Sequence, residues 1–141
     1  MIKNALDNHI SVLIVDDQRT MRLILRDLLH GIGVREIHEA ENGEAALDVL
    51  HDHGLSYPDL IICDLHMEKM DGMEFCNTVR RSDQLRDRQV PIVILTGDQN
   101  SLVHEVSRQV GASKVMTKPI NATQLKNMMA EGIDYSLEIA Q

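Results

Sequence analysis

Four short, mainly apolar runs punctuate the chain, at residues 9–15, 58–64, 90–96 and 112–117, and Val34 to Ala40 reads as a further strand, second in order. The run around Leu60-Ile61-Ile62-Cys63 follows Pro58 and stops abruptly at Asp64, the length and composition of a buried strand. Between the runs the period changes. From Gln18 to His30, Met21, Ile24, Leu25, Leu28 and Leu29 recur at three and four, which predicts a helix with one apolar stripe. Gly31-Ile32-Gly33 ends it, with glycine for a left-handed cap. Asn42 is the expected cap of a helix from Gly43 to about His53, with Ala46, Leu47 and Leu50 inward. Asp71-Gly72 is a turn signal, and Asp71 suits the cap of a helix from Gly72 to about Ser82 that places Glu74 at its third position and buries Phe75 and Val79. Asp98-Gln99-Asn100-Ser101 opens a helix to about Val110, stopped by Gly111. Asn121-Ala122-Thr123-Gln124 is a capping-box pattern opening the last helix. Its apolar face, Leu125, Met128, Met129, Gly132 and Ile133, continues weakly through Leu137.

Strands and helices alternate five times, with crossovers of suitable length. That predicts an α/β, doubly wound five-stranded parallel sheet covered by helices on both faces. One domain is expected over residues 10–131, with a polar leader at 1–9 and an extension of the last helix at 132–141.

Each buried strand delivers a polar group at its carboxyl end, where open α/β sheets place their ligand crevice. The first ends in Asp16-Asp17, the third in Asp64, the fourth in Thr96-Gly97 and the fifth in Lys118-Pro119. Three acids can hold Mg²⁺ through oxygen ligands. A hydroxyl and an ammonium hold the oxygens of a phosphoryl group, and Asp64 stands between them as the candidate nucleophile. Taken singly, each has a plainer reading: a solvated loop pair, a turn acid, a strand threonine, a surface lysine.

Composition narrows the classes. Aromatics are confined to Tyr57, Phe75 and Tyr135, so Ile, Leu, Val and Met fill the core. A net charge of −8 argues against nucleic-acid binding. Cys63 and Cys76 form no metal or redox motif, which points to a reducing compartment. No signal peptide or membrane span is expected, and the location read from this is cytoplasmic. His51-Asp52-His53 reads as surface, because neighbours on a helix diverge, and Arg80–Gln89 as a solvated helix end and loop.

In order, the motifs are Val15-Asp16-Asp17-Gln18-Arg19-Thr20-Met21-Arg22, Glu39-Ala40-Glu41-Asn42-Gly43-Glu44-Ala45-Ala46, Asp64 with Met67 and Met70-Asp71-Gly72, Leu95-Thr96-Gly97, and Gly111-Ala112-Ser113 with Lys118-Pro119. With these motifs the chain, from about Ile10 to about Met129, resembles the receiver domain of bacterial two-component response regulators. Its look is that of the single-domain chemotaxis type. The resemblance implies the flavodoxin-like (βα)5 strand order. It implies Asp64 as phosphoacceptor, not a conventional enzyme, with Thr96 and Lys118 binding the phosphoryl group. It implies Mg²⁺ held by Asp17, by Asp16 partly through water, by Asp64 and by the His66 backbone carbonyl. His66 and Asp98, two residues past Asp64 and Thr96, are expected to tune phosphoryl loss. The Lys118-Pro119 bond is expected to be cis. The partners implied are a sensor histidine kinase or phosphotransfer protein upstream, and a protein target on the face of the fourth helix, fifth strand and fifth helix. The end of the last helix is open between a frayed tail, a dimer surface and a docking surface.

Two residues depart from the family pattern. Val115 stands where a switching Tyr or Phe is usual, and Glu68 where Pro is usual. Val115 lends support to a receiver fold that binds partners without phosphorylation. A Mg²⁺-dependent aspartyl phosphatase of the haloacid dehalogenase type is a third reading. It needs a second acid two residues past the nucleophile, and here that residue is His66.

Overall fold

The computed structural model describes residues 9–140, with side chains through Glu131. The strands are β1 (Ser11–Val15), β2 (Glu36–Ala40), β3 (Leu60–Asp64), β4 (Ile92–Thr96) and β5 (Lys114–Thr117). The helices are α1 (Arg19–Gly31), α2 (Gly43–His51), α3 (Gly72–Arg81), α4 (Ser101–Gln109) and α5 (Ala122–Ala140). All strand pairs are parallel and the sheet order is β2-β1-β3-β4-β5. The order reverses between β1 and β3, so the crevice opens over the ends of those two strands.

β1, β3 and β4 are buried throughout, which is why their sequences are continuous apolar runs rather than alternating ones. Successive residues still point to opposite faces. Val12, Ile14, Leu60, Ile62, Val93 and Leu95 join Leu25 and Leu29 of α1 and Leu125, Met128 and Met129 of α5 in one core cluster. Leu13, Val15, Ile61, Cys63, Ile92 and Ile94 join Ala46 and Leu50 of α2 and Phe75, Cys76 and Val79 of α3 in the other.

The expected caps are formed. Asn42 accepts from Ala45 N–H and Asp71 from Glu74 N–H, each at 2.8 Å. Asn121 and Gln124 close a reciprocal box at 2.8 and 3.0 Å. Gly111 takes φ +128, a left-handed turn after α4 that an L side chain resists.

Several expectations shift. Ile24 lies on the predicted stripe of α1 yet is 46% exposed, as is Leu23, because the buried stripe runs through Leu25 and Leu29. α2 ends at His51, two residues early, where Asp52 turns to an extended conformation. β1 starts at Ser11, after His9 takes φ 60. Residues 1–8 of the leader lie outside the described residues, as do the side chains of Gly132, Ile133 and Leu137, although the α5 backbone runs on to Ala140.

The segment after α3 is not merely solvated. Arg80 donates to the carbonyls of Gly111 (3.0 Å), Arg88 (2.8 Å) and Val90 (2.7 Å). Arg86 donates to the carbonyls of Asp52 and Leu55 and lies 5.0 Å from the centroid of the Tyr57 ring. Tyr57 donates its hydroxyl to the Asp87 carbonyl at 2.7 Å, and burial pushes its pKa up to about 12.

Candidate phosphoryl and cation site

Parallel register puts the ends of the central strands side by side. Asp64 lies opposite Leu95 across β3 and β4, and Thr96 lies opposite Thr117 across β4 and β5. The backbone ladder continues past the strands into the site. Asp16 N–H donates to the Ala40 carbonyl at 3.1 Å, Leu65 N–H to Leu95 at 3.2 Å and Lys118 N–H to Thr96 at 2.7 Å. The site is therefore set by sheet hydrogen bonds rather than by free loops.

Asp16, Asp17 and Asp64 bring carboxylate oxygens within 4.8 Å of one another. Asp16 is 1% exposed and Asp64 9%, whereas Asp17 faces solvent. Lys118 Nζ lies 3.1 Å from Asp64 Oδ1 and 3.4 Å from Asp16 Oδ2, so one ammonium bridges two acids. The other Asp16 oxygen accepts from Gln18 N–H at 2.9 Å and shapes the turn into α1. Burial raises the Asp64 carboxyl above the ordinary aspartate range. Lys118 opposes that shift, and the Asp16 and Asp17 charges reinforce it. The Lys118-Pro119 peptide bond is cis.

This donor set suits a hard divalent cation. It offers three carboxylates, one of them solvent-facing, and no sulfur or imidazole; oxygen-only sites favour Mg²⁺ or Ca²⁺ over softer metals. Cys63, next to Asp64, is fully buried, and burial pushes its thiol well above the usual range, so it is packing rather than chemistry.

Thr96 is buried, and its Oγ accepts from Asp98 N–H at 3.0 Å. Asp98 is half-buried and its carboxylate accepts from Asn100 N–H at 2.8 Å. His66 is exposed on the loop after β3, where Lys69 takes φ 68. Val115 lies opposite Ile94, partly buried against the second core cluster. The positions singled out in the sequence thus gather at one sheet edge, apart from Val115, which lies within β5.

Two supporting roles were not read from the sequence, although Arg22, Glu39 and Gly72 stand in its motifs. Arg22 donates to the Asp16 carbonyl at 2.7 Å and pairs with Glu39 at 3.0 Å, while Arg26 reaches the same Glu39 at 2.7 Å. Gly72 packs so tightly that a Cβ there would lie 2.5 Å from the Asp64 carbonyl oxygen. The spacing of Arg22 and Arg26, four apart on one helix face, was a readable signal; their acceptor on β2 was not.

A doubly wound five-strand sheet with an acid cluster and a lysine at its switch point defines the response regulator receivers. The chain belongs to this family: residues 12–130 match the response regulator receiver domain. It is 34% identical to a probable chemotaxis protein CheY of Rhizobium etli, over 83% of this chain and 87% of that one. The solved chemotaxis protein CheY4 of Vibrio cholerae superposes with a TM-score of 0.75 at 29% identity, covering 87% of this chain and 98% of that one. The receiver domain of the Pseudomonas aeruginosa sensor histidine kinase PA1611, solved with magnesium in its active-site cleft, gives 0.76 at 22% identity, covering 88% and 97%. The chain is thus a CheY-like receiver of two-component signalling, and receivers in general accept a phosphoryl group and bind Mg²⁺ at an acidic pocket. Among the described residues no helix is long and apolar enough to cross a membrane.

Proposed function

We propose that this chain is a stand-alone response regulator that takes a phosphoryl group on Asp64 from a phosphohistidine. The observation that carries this reading is the bridge of Lys118 Nζ to Asp64 and Asp16, 3.1 and 3.4 Å away. An Asp64 oxygen attacks phosphorus, the donor P–N bond breaks, and the donor imidazole leaves and takes up a proton. Lys118 follows the charge onto the phosphoryl oxygens, and the Thr96 hydroxyl turns from Asp98 N–H to one of them. The step needs positioning and charge neutralisation more than nucleophilic strength. Asp16, Asp17, Asp64 and the His66 backbone carbonyl would hold Mg²⁺. When bound, Mg²⁺ offsets the crowded acids and the phosphoryl charge. Water attacking phosphorus restores the carboxylate, with His66 and Asp98 beside the pocket setting the rate. The protein signals rather than turning over a metabolite.

The proposed setting is the bacterial cytoplasm. The donor is a sensor histidine kinase or histidine phosphotransfer protein, and the output is a protein docked on α4, β5 and α5. Leu102, 64% exposed near the start of α4, favours that face, and the tail of α5 is a candidate dimer surface. The acidic surface disfavours nucleic acid. Val115 keeps a phosphorylation-independent interaction module as the second reading. To separate the two, native protein and Asp64→Asn are incubated with Mg²⁺ and acetyl phosphate and their masses compared. Gain of one phosphoryl group by the native protein alone is expected. No gain by either moves the assignment to the second reading.

A further inference from the structure

The loop after Thr96 contains a hydrogen-bond chain that phosphoryl binding alone does not require. Thr96 Oγ accepts from Asp98 N–H at 3.0 Å. Asp98 Oδ1 accepts from Asn100 N–H at 2.8 Å, and Asn100, the cap of α4, accepts from Leu102 N–H at 2.8 Å. The Asp98 carbonyl lies 2.6 Å from Nε2 of His104. A carbonyl offers only lone pairs, so Nε2 carries the proton and donates. The His104 backbone N–H also donates to the Asn100 carbonyl, at 3.2 Å. Ring and backbone of one half-buried residue of α4 therefore both hold the Thr96 loop. All three polar groups of Asp98 are tied: N–H to Thr96, carboxylate to Asn100, carbonyl to His104.

We propose that His104 is the positioning residue that carries the state of Thr96 into α4. This rests on Asp64 being the phosphoacceptor and Thr96 a phosphoryl ligand. When Thr96 Oγ turns toward a phosphoryl oxygen, Asp98 N–H loses its acceptor. The Gly97–Asp98 peptide is then free to reorient, the turn at Asp98 moves the carbonyl of the next peptide, and the His104 contact is broken or remade. The first turn of α4 shifts with it, and Leu102 is the most exposed large hydrophobic residue among those described. Val115, short and branched on β5, has no ring to swing and no polar group to exchange, whereas His104 has both a ring and a donor. The rearrangement thus changes how an apolar side chain is offered to a protein partner. Two discrete hydrogen-bonded arrangements of one loop are what such coupling needs.

The test uses ¹⁵N-labelled full chain with Mg²⁺ and acetyl phosphate, the mass recorded on each sample. In phosphorylated native protein the His104 Nε2–H signal is expected to move, together with the amides of Asp98, Leu102 and Ser107. His104→Leu removes the donor and is expected to take up phosphate as before, while the α4 amide response falls by roughly two-fold or more. His104→Gln keeps an N–H donor and is expected to restore it. A phosphorylated native protein with an unmoved His104 ring overturns the proposal alone. So does His104→Leu with the full α4 response. The native ring signal needs no variant, so a misfolded variant does not shield the proposal. A native protein that gains no phosphoryl group overturns the phosphoacceptor reading, and this one with it.

Discussion

Gly72 shows how one hydrogen atom sets the site. Its N–H donates to the Leu65 carbonyl at 2.8 Å, drawing the start of α3 onto the end of β3. A methyl group there would lie 2.5 Å from the Asp64 carbonyl oxygen and 3.0 Å from Leu65 Cα, both backbone atoms unable to swing aside. Gly72→Ala is expected to cost about 1–3 kcal/mol, as overpacking does, and to slow phosphoryl uptake beyond what stability explains. Urea unfolding alongside uptake from acetyl phosphate checks both, and an unaltered uptake rate in folded variant would contradict it. Glu39 behaves differently. Burial raises its carboxyl, but Arg26 and Arg22 outweigh burial and hold it below the ordinary glutamate range. A lowered folded-state pKa stabilises the fold above the unfolded value, and the gain is lost as pH falls through the folded value. Glu39→Gln is therefore expected to destabilise at neutral pH, with the gap to native protein closing as the pH falls below the glutamate range. Unfolding midpoints across pH 3 to 7 measure it, and a gap independent of pH would rule the ion pairs out as its source.

Among the elements, the central strands were legible because burial on both faces forces unbroken apolar runs, and the caps because Asn42, Asp71 and Asn121 each stand next to the backbone they satisfy. The strand-end residues were legible for the same reason: a polar group that ends a buried run has to emerge at the sheet edge. What escaped depends on packing across elements or on backbone acceptors that no side chain marks. Ile24 matches the α1 period, but the core takes Leu25 and Leu29 from that helix and leaves Ile24 46% exposed, and a stripe of apolar positions does not say which of its members lie at its edge. Arg80 and Arg86 looked solvated because their partners are backbone carbonyls, 8 to 34 positions away, which no residue type marks. His104 was invisible although its acceptor is only six positions back, since a backbone carbonyl leaves no mark in the sequence. The loop from Ser82 to Gln89 consequently depends on Arg80. Arg80→Met keeps the aliphatic stem and removes the bonds to the Gly111 and Val90 carbonyls. Charged donors to buried carbonyls are worth about 1.5–3 kcal/mol each, less where water can replace them, so a loss of about 2 kcal/mol is expected. Hydrogen exchange at residues 82–90 and 111–113 should speed up while the phosphoryl site, at the opposite edge, keeps its uptake. If uptake falls in parallel, the two edges are not independent.

The whole molecule couples its fold to its charge. Net charge is −8, and three acids sit within 4.8 Å at the switch point with one lysine among them. Burial and the neighbouring acids outweigh Lys118 at Asp64, so the folded state bears part of the cost of keeping the site charged. The two halves of the sheet meet there: β1 brings Asp16 and β3 brings Asp64, so relieving the repulsion stabilises the packing of both. A cation that binds only the folded site stabilises it by mass action, about 2.7 kcal/mol at a hundred times its dissociation constant. For a chain of this size that is a rise of about 5–10 °C in the unfolding midpoint. Salt screening would also help so acidic a protein, so NaCl at matched ionic strength is the control, and it is expected to raise the midpoint much less. Asp17 faces solvent, so Asp17→Asn is expected to leave the core undisturbed while it removes a proposed ligand. The Mg²⁺-dependent rise should largely disappear in this variant. In chelator the order should reverse, with Asp17→Asn the more stable because one repelling charge is gone. Equal Mg²⁺ and NaCl effects in the native protein, or a full Mg²⁺ effect in Asp17→Asn, would mean that the acid cluster is a charged surface and not a cation site.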